Sequence, residues 1–316
     1  MSARIIVLGA DGFIGRRVVA ALAASDWATP IAAGRRVASA AGPVERIRVD
    51  ATDAASLQAA FTGAAGVVNC VAGDASTIVA TARALFDAAA KTSPVVVDFS
   101  SMAVYGSATG TVDEDAPLSG DTGPYAAAKI EAERIARRYP RAVSLRPGIV
   151  YGPGSAQWSE RIARWLLARR VGDMGAAGDG YCNLVHVDDV AKAAVRALRL
   201  LDAQGRPYNL GMLNPPTWNE YFLRYAKALG AVPVRRITGR HMKLEKLAAI
   251  PLKIAEIAAG KAKLKLALPP PIPPSLTGVW RQEIKLDVRR AERELGMVWT
   301  SLDAGLRDAA APYKRN

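Results

Sequence analysis

Arg4-Ile5-Ile6-Val7-Leu8 is a short apolar run of the kind that forms a buried strand. It leads directly into Gly9-Ala10-Asp11-Gly12-Phe13-Ile14-Gly15, after which the pattern turns helical. Glycines mark turns of every kind, so their spacing alone decides little. A strand immediately before and a helix immediately after constrain the chain far more. The helix start then offers unpaired N–H groups and a partial positive charge to an anion. In that setting Gly9 permits the tight turn, Gly12 lets backbone approach a pyrophosphate, and Gly15 lets helix pack on strand. The turn predicts a dinucleotide site, lined also by Asp11, Phe13 and Ile14; the alternative is a glycine turn without a ligand.

The same alternation continues. Apolar runs at Arg4–Leu8, Pro30–Ala33, Arg46–Val49, Gly66–Val71, Val95–Phe99 and Ala142–Arg146 predict strands, separated by helical patterns at Phe13–Ala24, Ala54–Phe61, Ser76–Ala90 and Tyr125–Tyr139. Val67-Val68 and Val95-Val96-Val97 are apolar throughout, as parallel strands buried on both faces must be. Right-handed crossovers give an α/β fold, a doubly wound parallel (Rossmann) sheet whose ligand crevice lies at the carboxyl ends of its strands. After Pro147 the pattern loosens into Gly- and Pro-containing loops, with a stiff run from Pro269 to Pro274. The expected division is a dinucleotide-binding domain over 1–150 and a smaller C-terminal substrate lobe over 151–316, with part of 181–212 returning to the first domain.

Among 316 residues there is no uninterrupted apolar run of roughly 18, so no transmembrane span is expected. The start lacks the pattern of a signal peptide, and two cysteines, Cys70 and Cys182, make no disulfide framework, so a cytoplasmic location is expected. The net charge of +13 is local. Nine Lys/Arg stand against two Glu between Ala231 and Pro270, an excess of seven in one eighth of the chain. His241 to Leu268 alternates Leu, Ile and Ala with Lys at helical spacing. That suits a surface helix pair, or peripheral contact of 241–268 with an anionic membrane. Nucleic acid is not an expected partner, because no basic platform interleaved with aromatics occurs.

The second strand runs into Ala33-Gly34-Arg35-Arg36. An acid there would accept from the ribose hydroxyls of NAD, whereas arginines neutralise the 2′-phosphate of NADP, so Arg35 and Arg36 favour NADP over NAD. Asp50 and Ala51 follow the third strand, where the adenine is expected. Asn69-Cys70-Val71-Ala72-Gly73 ends the fourth, placing Val71, Ala72 and Gly73 near the linking phosphates.

Tyr125-Ala126-Ala127-Ala128-Lys129 sets a phenol and an ammonium at i and i+4, on one helix face. A phenol is a poor acid/base at neutral pH unless a nearby cation stabilises the phenolate. On its own the pair is common on surface helices. Here Ser100-Ser101-Met102-Ala103-Val104-Tyr105-Gly106 also follows the fifth strand, at the carboxyl edge of the sheet. With Leu145-Arg146-Pro147-Gly148-Ile149-Val150-Tyr151-Gly152-Pro153 and Val185-His186-Val187-Asp188-Asp189-Val190, the set closely resembles the extended short-chain dehydrogenase/reductase family (NAD-dependent epimerase/dehydratase-like) over most of the chain. The resemblance implies Ser101 as the catalytic hydroxyl, Tyr125 as acid/base and Lys129 as its partner and a hold on the nicotinamide ribose. It also implies Ser100, Pro147, Gly148 and Ile149 beside the cofactor, and a homodimer through the helices Ser76–Ala90 and Tyr125–Tyr139.

Departures narrow the reaction. Sugar-nucleotide dehydratases of this family carry Asp-Glu after the catalytic hydroxyl; Met102 and Ala103 stand there and transfer no protons. Nucleotide-sugar members often carry an arginine where this chain has Cys182, and Asn183 before Leu-Val-His resembles the reductase and hydroxysteroid dehydrogenase branches. The expectation is an NAD(P)-dependent reductase or dehydrogenase of a small, lipophilic hydroxyl- or carbonyl-bearing molecule. A nucleotide-sugar epimerase is the alternative, and a non-catalytic dinucleotide-binding scaffold the alternative of another class. His186 sits in an apolar motif and reads as a core residue, Asp188 or Asp189 as the cap of a helix over Val190–Leu201, and no metal site is expected.

Overall fold

The structure, a computed structural model, describes residues 2–36, 43–200, 205–245, 247, 250–251, 271–273 and 276–314. Most of the basic stretch 241–268 and of the proline run after it lies outside the described residues.

In chain order the elements are β1 (Ala3–Leu8), α1 (Phe13–Ala23), β2 (Ala28–Gly34), β3 (Glu45–Arg48), α2 (Ala54–Phe61), β4 (Gly66–Asn69), α3 (Ala75–Thr92), β5 (Val95–Phe99), β6 (Gly110–Val112), α4 (Pro124–Ala136), β7 (Ala142–Pro147), β8 (Ile149–Tyr151), α5 (Arg161–Leu167), β9 (Leu184–His186), α6 (Val187–Ala197), β10 (Arg206–Leu210) and α7 (Trp218–Leu229), followed by shorter pieces. Backbone contacts divide the chain into two compact units. The first is Met1–Gly148, Val185–Leu213 and Leu286–Trp299; the second is Ile149–Leu184, Asn214–Lys285 and Thr300–Asn316.

The first unit holds a seven-stranded sheet in the order β3-β2-β1-β4-β5-β7-β10, parallel at every pairing. The order reverses direction at β1, the topological switch point where such sheets open a crevice at their carboxyl edge. β4 and β7 are buried at every residue, which fits the apolar Val67-Val68 of β4, while Asn69, Ser144 and Arg146 are polar groups carried into that interior. Helix α3 packs between α2 and α4, while α1 packs on α6. One face of the sheet closes over Ile6, Leu8, Ile31, Leu57, Phe61, Val67, Leu85 and Val96. Small residues at the α3–α4 contact (Ala82, Ala128, Ala132) let those helices approach closely. The seventh strand, β10, was hidden in sequence because Arg206-Pro207-Tyr208-Asn209-Leu210 alternates like a loop; its Asn209 is nonetheless fully buried.

In the second unit, α7 opens with a capping box between Thr217 and Glu220 and closes on Gly230 at φ 71. It packs on α5 and on the helix Leu302–Ala310, and its Trp218, Tyr221 and Phe222 form an aromatic cluster with Trp158 and Trp280. Among the described residues no helix is long and apolar enough to cross a membrane.

Candidate active site

Gly9 takes φ 69, and a Cβ there would come within 2.8 Å of the Cys70 carbonyl oxygen on the neighbouring strand end. A Cβ on Gly15 would fall 2.2 Å from the Gly9 carbonyl oxygen, so only glycine lets α1 seat against the turn. Gly12 is the N-cap of α1 and no side chain caps that end, leaving the first-turn N–H groups to an incoming anion. Phe13 and Ile14 are the first residues of α1. This cradle, closed to side chains and open at a helix start, fits the pyrophosphate of a dinucleotide. Val71, Ala72 and Gly73 follow β4 and precede the Asp74 cap of α3, and the Val71 N–H donates to Asn69 Oδ1 at 3.2 Å.

Arg35 and Arg36 follow β2 and are exposed. Asp11 is occupied: its Oδ1 accepts from Arg46 Nη1 at 2.8 Å. Asp50 is exposed beside Ala51, and its carboxylate accepts from the Thr52 N–H at 2.9 Å and the Thr52 hydroxyl at 2.7 Å. Those bonds hold it below the ordinary carboxylate range, assisted by the charge of Arg35.

Ser101 lies just beyond β5, where its Oγ accepts from the Ala103 N–H at 3.2 Å and starts the short turn Met102–Tyr105. Pro124 opens α4, so Tyr125 stands in its first turn with 48% of its surface exposed. Lys129, one turn on, is only 8% exposed, and its Nζ donates to the Phe99 carbonyl oxygen at 2.6 Å. That bond draws the buried ammonium onto the last residue of β5, two positions before Ser101. Ser101, Tyr125 and Lys129 therefore belong to one unit and to one strand end and its helix.

Beneath them lies a buried polar network that the sequence reading missed. Arg146, fully buried on β7, forms a two-pronged pair with Glu133 of α4: Nε to Oε1 at 2.8 Å and Nη2 to Oε2 at 2.6 Å. The Ser100 hydroxyl donates to Glu133 Oε1 at 2.5 Å, so the Ser100 side chain is spent on α4. Arg146 Nη1 also donates to the Tyr105 hydroxyl at 2.8 Å, and that hydroxyl donates to Asn209 Oδ1 of β10 at 2.6 Å. Burial pushes the Tyr105 phenol up to about 12, outweighing the nearby guanidinium. Burial acts to lower the Arg146 pKa, yet the bonds to Glu133 prevail and hold it above its ordinary value. Glu133 sits four residues after Lys129 and eight after Tyr125, so the i, i+4, i+8 spacing on one helix face was the available signal. A lone arginine in an apolar strand was the signal for Arg146.

Asp98 was also missed. It is 3% exposed on β5 and accepts from Asn69 Nδ2 at 2.7 Å, with which it is in register across β4 and β5. Burial raises its pKa, against the lowering influence of Lys129 and of the Asn69 bond. Of the remaining predicted residues, Pro147 ends β7 and the Gly148 N–H donates to Leu210 O at 2.8 Å. Ile149 belongs to the second unit, where its N–H donates to Asn183 O at 2.6 Å.

One expectation is corrected. The helix after Val185 begins at Val187, not Val190, and ends at Ala197; its cap is His186 rather than Asp188 or Asp189. His186 Nδ1 accepts from the Asp188 N–H at 3.4 Å, leaving both aspartates inside the first turn, where the helix dipole favours them.

A doubly wound sheet with a glycine cradle and a Ser–Tyr–Lys set at its carboxyl edge defines a dinucleotide-binding α/β protein. The family model described as "NAD dependent epimerase/dehydratase family" matches residues 5–211. The chain belongs to that family: it is an enzyme of the extended short-chain dehydrogenase/reductase type and uses a nicotinamide dinucleotide. No curated protein matches its sequence significantly. Solved structures share the fold. UDP-N-acetylglucosamine 4-epimerase from Bacillus cereus is similar with a TM-score of 0.74 at 17% identity, over 99% of this chain and 100% of that one. MoeE5 in complex with UDP-glucose and NAD gives 0.71 at 24%, over 98% of each chain. The human epimerase family protein SDR39U1 with NADPH gives 0.73 at 20%, over 98% and 99%.

Proposed function

We propose that the protein is an NAD(P)-dependent reductase or dehydrogenase acting at a hydroxyl- or carbonyl-bearing carbon of a small molecule, lipophilic molecules being among the candidates. The observation that carries this reading is Lys129. Its buried ammonium is tied to the Phe99 carbonyl oxygen, one turn from an exposed Tyr125 and beside the strand that delivers Ser101, which supports a role in balancing a phenolate. Gly9, Gly12 and Gly15 with the start of α1 would hold the pyrophosphate, and Asp50, Ala51, Val71, Ala72 and Gly73 would flank the adenosine half. Pro147, Gly148 and Ile149 would lie by the nicotinamide, which supplies the hydride acceptor or donor.

In the reducing direction Ser101 Oγ donates a hydrogen bond to the substrate oxygen, and Tyr125 Oη gives that oxygen its proton. In the oxidising direction the Tyr125 phenolate takes the proton back, its charge balanced by Lys129 Nζ. Met102 and Ala103 bring no carboxyl group to the turn after Ser101, which speaks against elimination of water. Cys182 is fully buried where nucleotide-sugar members often carry arginine, so it offers no cation to a diphosphate. The absence of an acid at the end of β2, with Arg35 and Arg36 following, supports NADP over NAD.

A second reading is a nucleotide-sugar epimerase, in which the hydride is taken from one face and returned to the other. Similarity over nearly the whole chain to the Bacillus cereus 4-epimerase and to MoeE5 favours it. A panel of alcohols, ketones and UDP-sugars, followed by nicotinamide absorbance with NADPH and NADH and by product chromatography, separates the two. Net cofactor turnover supports the first reading, and sugar interconversion without it supports the second. Tyr125→Phe should lower kcat by about 10²–10⁴-fold with cofactor affinity unchanged; full activity in that variant would sink the mechanism for either reaction.

A further inference from the structure

We propose that Arg46 is a determinant of cofactor choice, a guanidinium that receives the 2′-phosphate of the dinucleotide and is parked on Asp11 until that phosphate arrives. This rests on the reading that a dinucleotide binds at the Gly9–Gly15 turn, and it identifies how its phosphorylated form is selected.

β2 ends at Gly34 without an acid. A Cβ on Gly34 would lie 3.8 Å from Asp11 Oδ2, so the Asp11 carboxylate stands beside the strand end where an acid would otherwise accept ribose hydroxyls. That carboxylate is bonded to Arg46 Nη1 at 2.8 Å, and the Asp11 carbonyl oxygen accepts from Arg16 Nη1 at 3.1 Å. Arg46 of β3, which lies on the far side of β2 from β1, pairs in register with Ala32 of β2. Its side chain therefore passes across β2 to reach the turn after β1. Arg16 and Arg46 are the two charged residues on an open cleft of about 340 Å³ whose other lining residues, from Ala10, Val19 and Ala20 of the turn and α1 to Pro43 and Val44, are apolar.

The Asp11–Arg46 pair is partly exposed, with side-chain exposures of 57% and 29%, and such pairs gain little free energy from each other. A phosphate of nearly two negative charges is the stronger partner for a guanidinium's forked donors. Arg46 bonds the Asp11 carboxylate and Arg16 its carbonyl oxygen, while Arg35 and Arg36 follow Gly34 and the charge of Arg35 reaches Asp50. The segments at this corner thus bring four arginines against two carboxylates. That excess serves a dianion and has no use in binding an uncharged ribose hydroxyl.

The test is calorimetric titration of the full chain with 2′,5′-ADP and with 5′-AMP, which differ at the 2′-phosphate. Wild-type protein should prefer 2′,5′-ADP. Arg46→Gln should weaken 2′,5′-ADP by about tenfold and leave 5′-AMP within about twofold, while Arg46→Lys falls between. Asp11→Asn, which frees Arg46, should hold or raise the affinity for 2′,5′-ADP. A wild-type preference that survives Arg46→Gln, or a loss shared equally by both probes, overturns the inference and leaves the NADP reading intact. No wild-type preference at all overturns both, while the redox reading is judged separately by the turnover assay.

Discussion

The two ends of the sheet's carboxyl edge are built on opposite principles. At the β5–β7 end, beneath Ser101 and Tyr125, side chains interlock out of water: Arg146, Glu133, Ser100 and Tyr105 are each no more than 4% exposed. At the β1–β3 end, Asp11, Arg35, Arg36 and Arg46 meet solvent, and geometry is held by charge. The chemistry end requires atoms fixed relative to a reacting carbon, which desolvated hydrogen bonds provide at the expense of tolerance. On the proposed reading the adenosine end would need only recognition of a remote charge, which exposed arginines supply and which is easily retuned.

Glu133→Gln breaks the comparison most severely if it is wrong. Removing the charge leaves Arg146 buried without its counter-ion, so unfolding free energy should fall by about 3–5 kcal/mol in urea titration. Asp11→Asn, which breaks the exposed pair, should leave the unfolding midpoint in place. Equal losses in the two variants would erase the distinction. A smaller effect concerns salt. Raising sodium chloride from about 0.05 M to about 0.5 M shortens the screening length severalfold, so NADPH affinity should drop several-fold while the thermal midpoint stays. A salt-insensitive NADPH affinity would show that charge does not govern the adenosine end.

The smallest effect sharpens the buried end. Burial raises the folded-state pKa of Asp98, so ionising it costs stability. That cost is absent below the ordinary carboxylate range and grows as pH rises through the window up to the raised value. Asp98→Asn keeps an oxygen to accept from Asn69 and should remove this decline in stability with rising pH, read as urea midpoints from pH 4 to neutrality. An unchanged slope would show that Asp98 does not ionise in the folded protein.

Much of the fold was legible because it was local. β1, β5, α2 and the first turn of α1 follow from apolar runs, the glycine turn and helical spacing within a few residues of each other. β10 was not legible, since Pro207 and Asn209 weaken the strand pattern; Asn209 is buried with its polar groups met by Tyr105, by the Glu114 carboxylate, which accepts from the Asn209 N–H at 2.9 Å, and by the Val112 and Asp287 carbonyl oxygens. The helix cap at His186 was misplaced by two or three residues, because aspartates are the commoner caps and the local pattern could not show that the strand Leu184–His186 runs directly into the helix.

By itself the sequence determined the glycine turn and the Tyr125/Lys129 face, since backbone sterics and the 3.6-residue repeat act between near neighbours. Only the tertiary structure decided what lies around them. Ser100 meets Glu133 across 33 positions, Arg146 meets Glu133 across 13, and Arg46 meets Asp11 across 35. No short-range rule links such partners. The sheet brings them together, burial makes the inner pairs obligatory, and exposure leaves the outer pair weakly held.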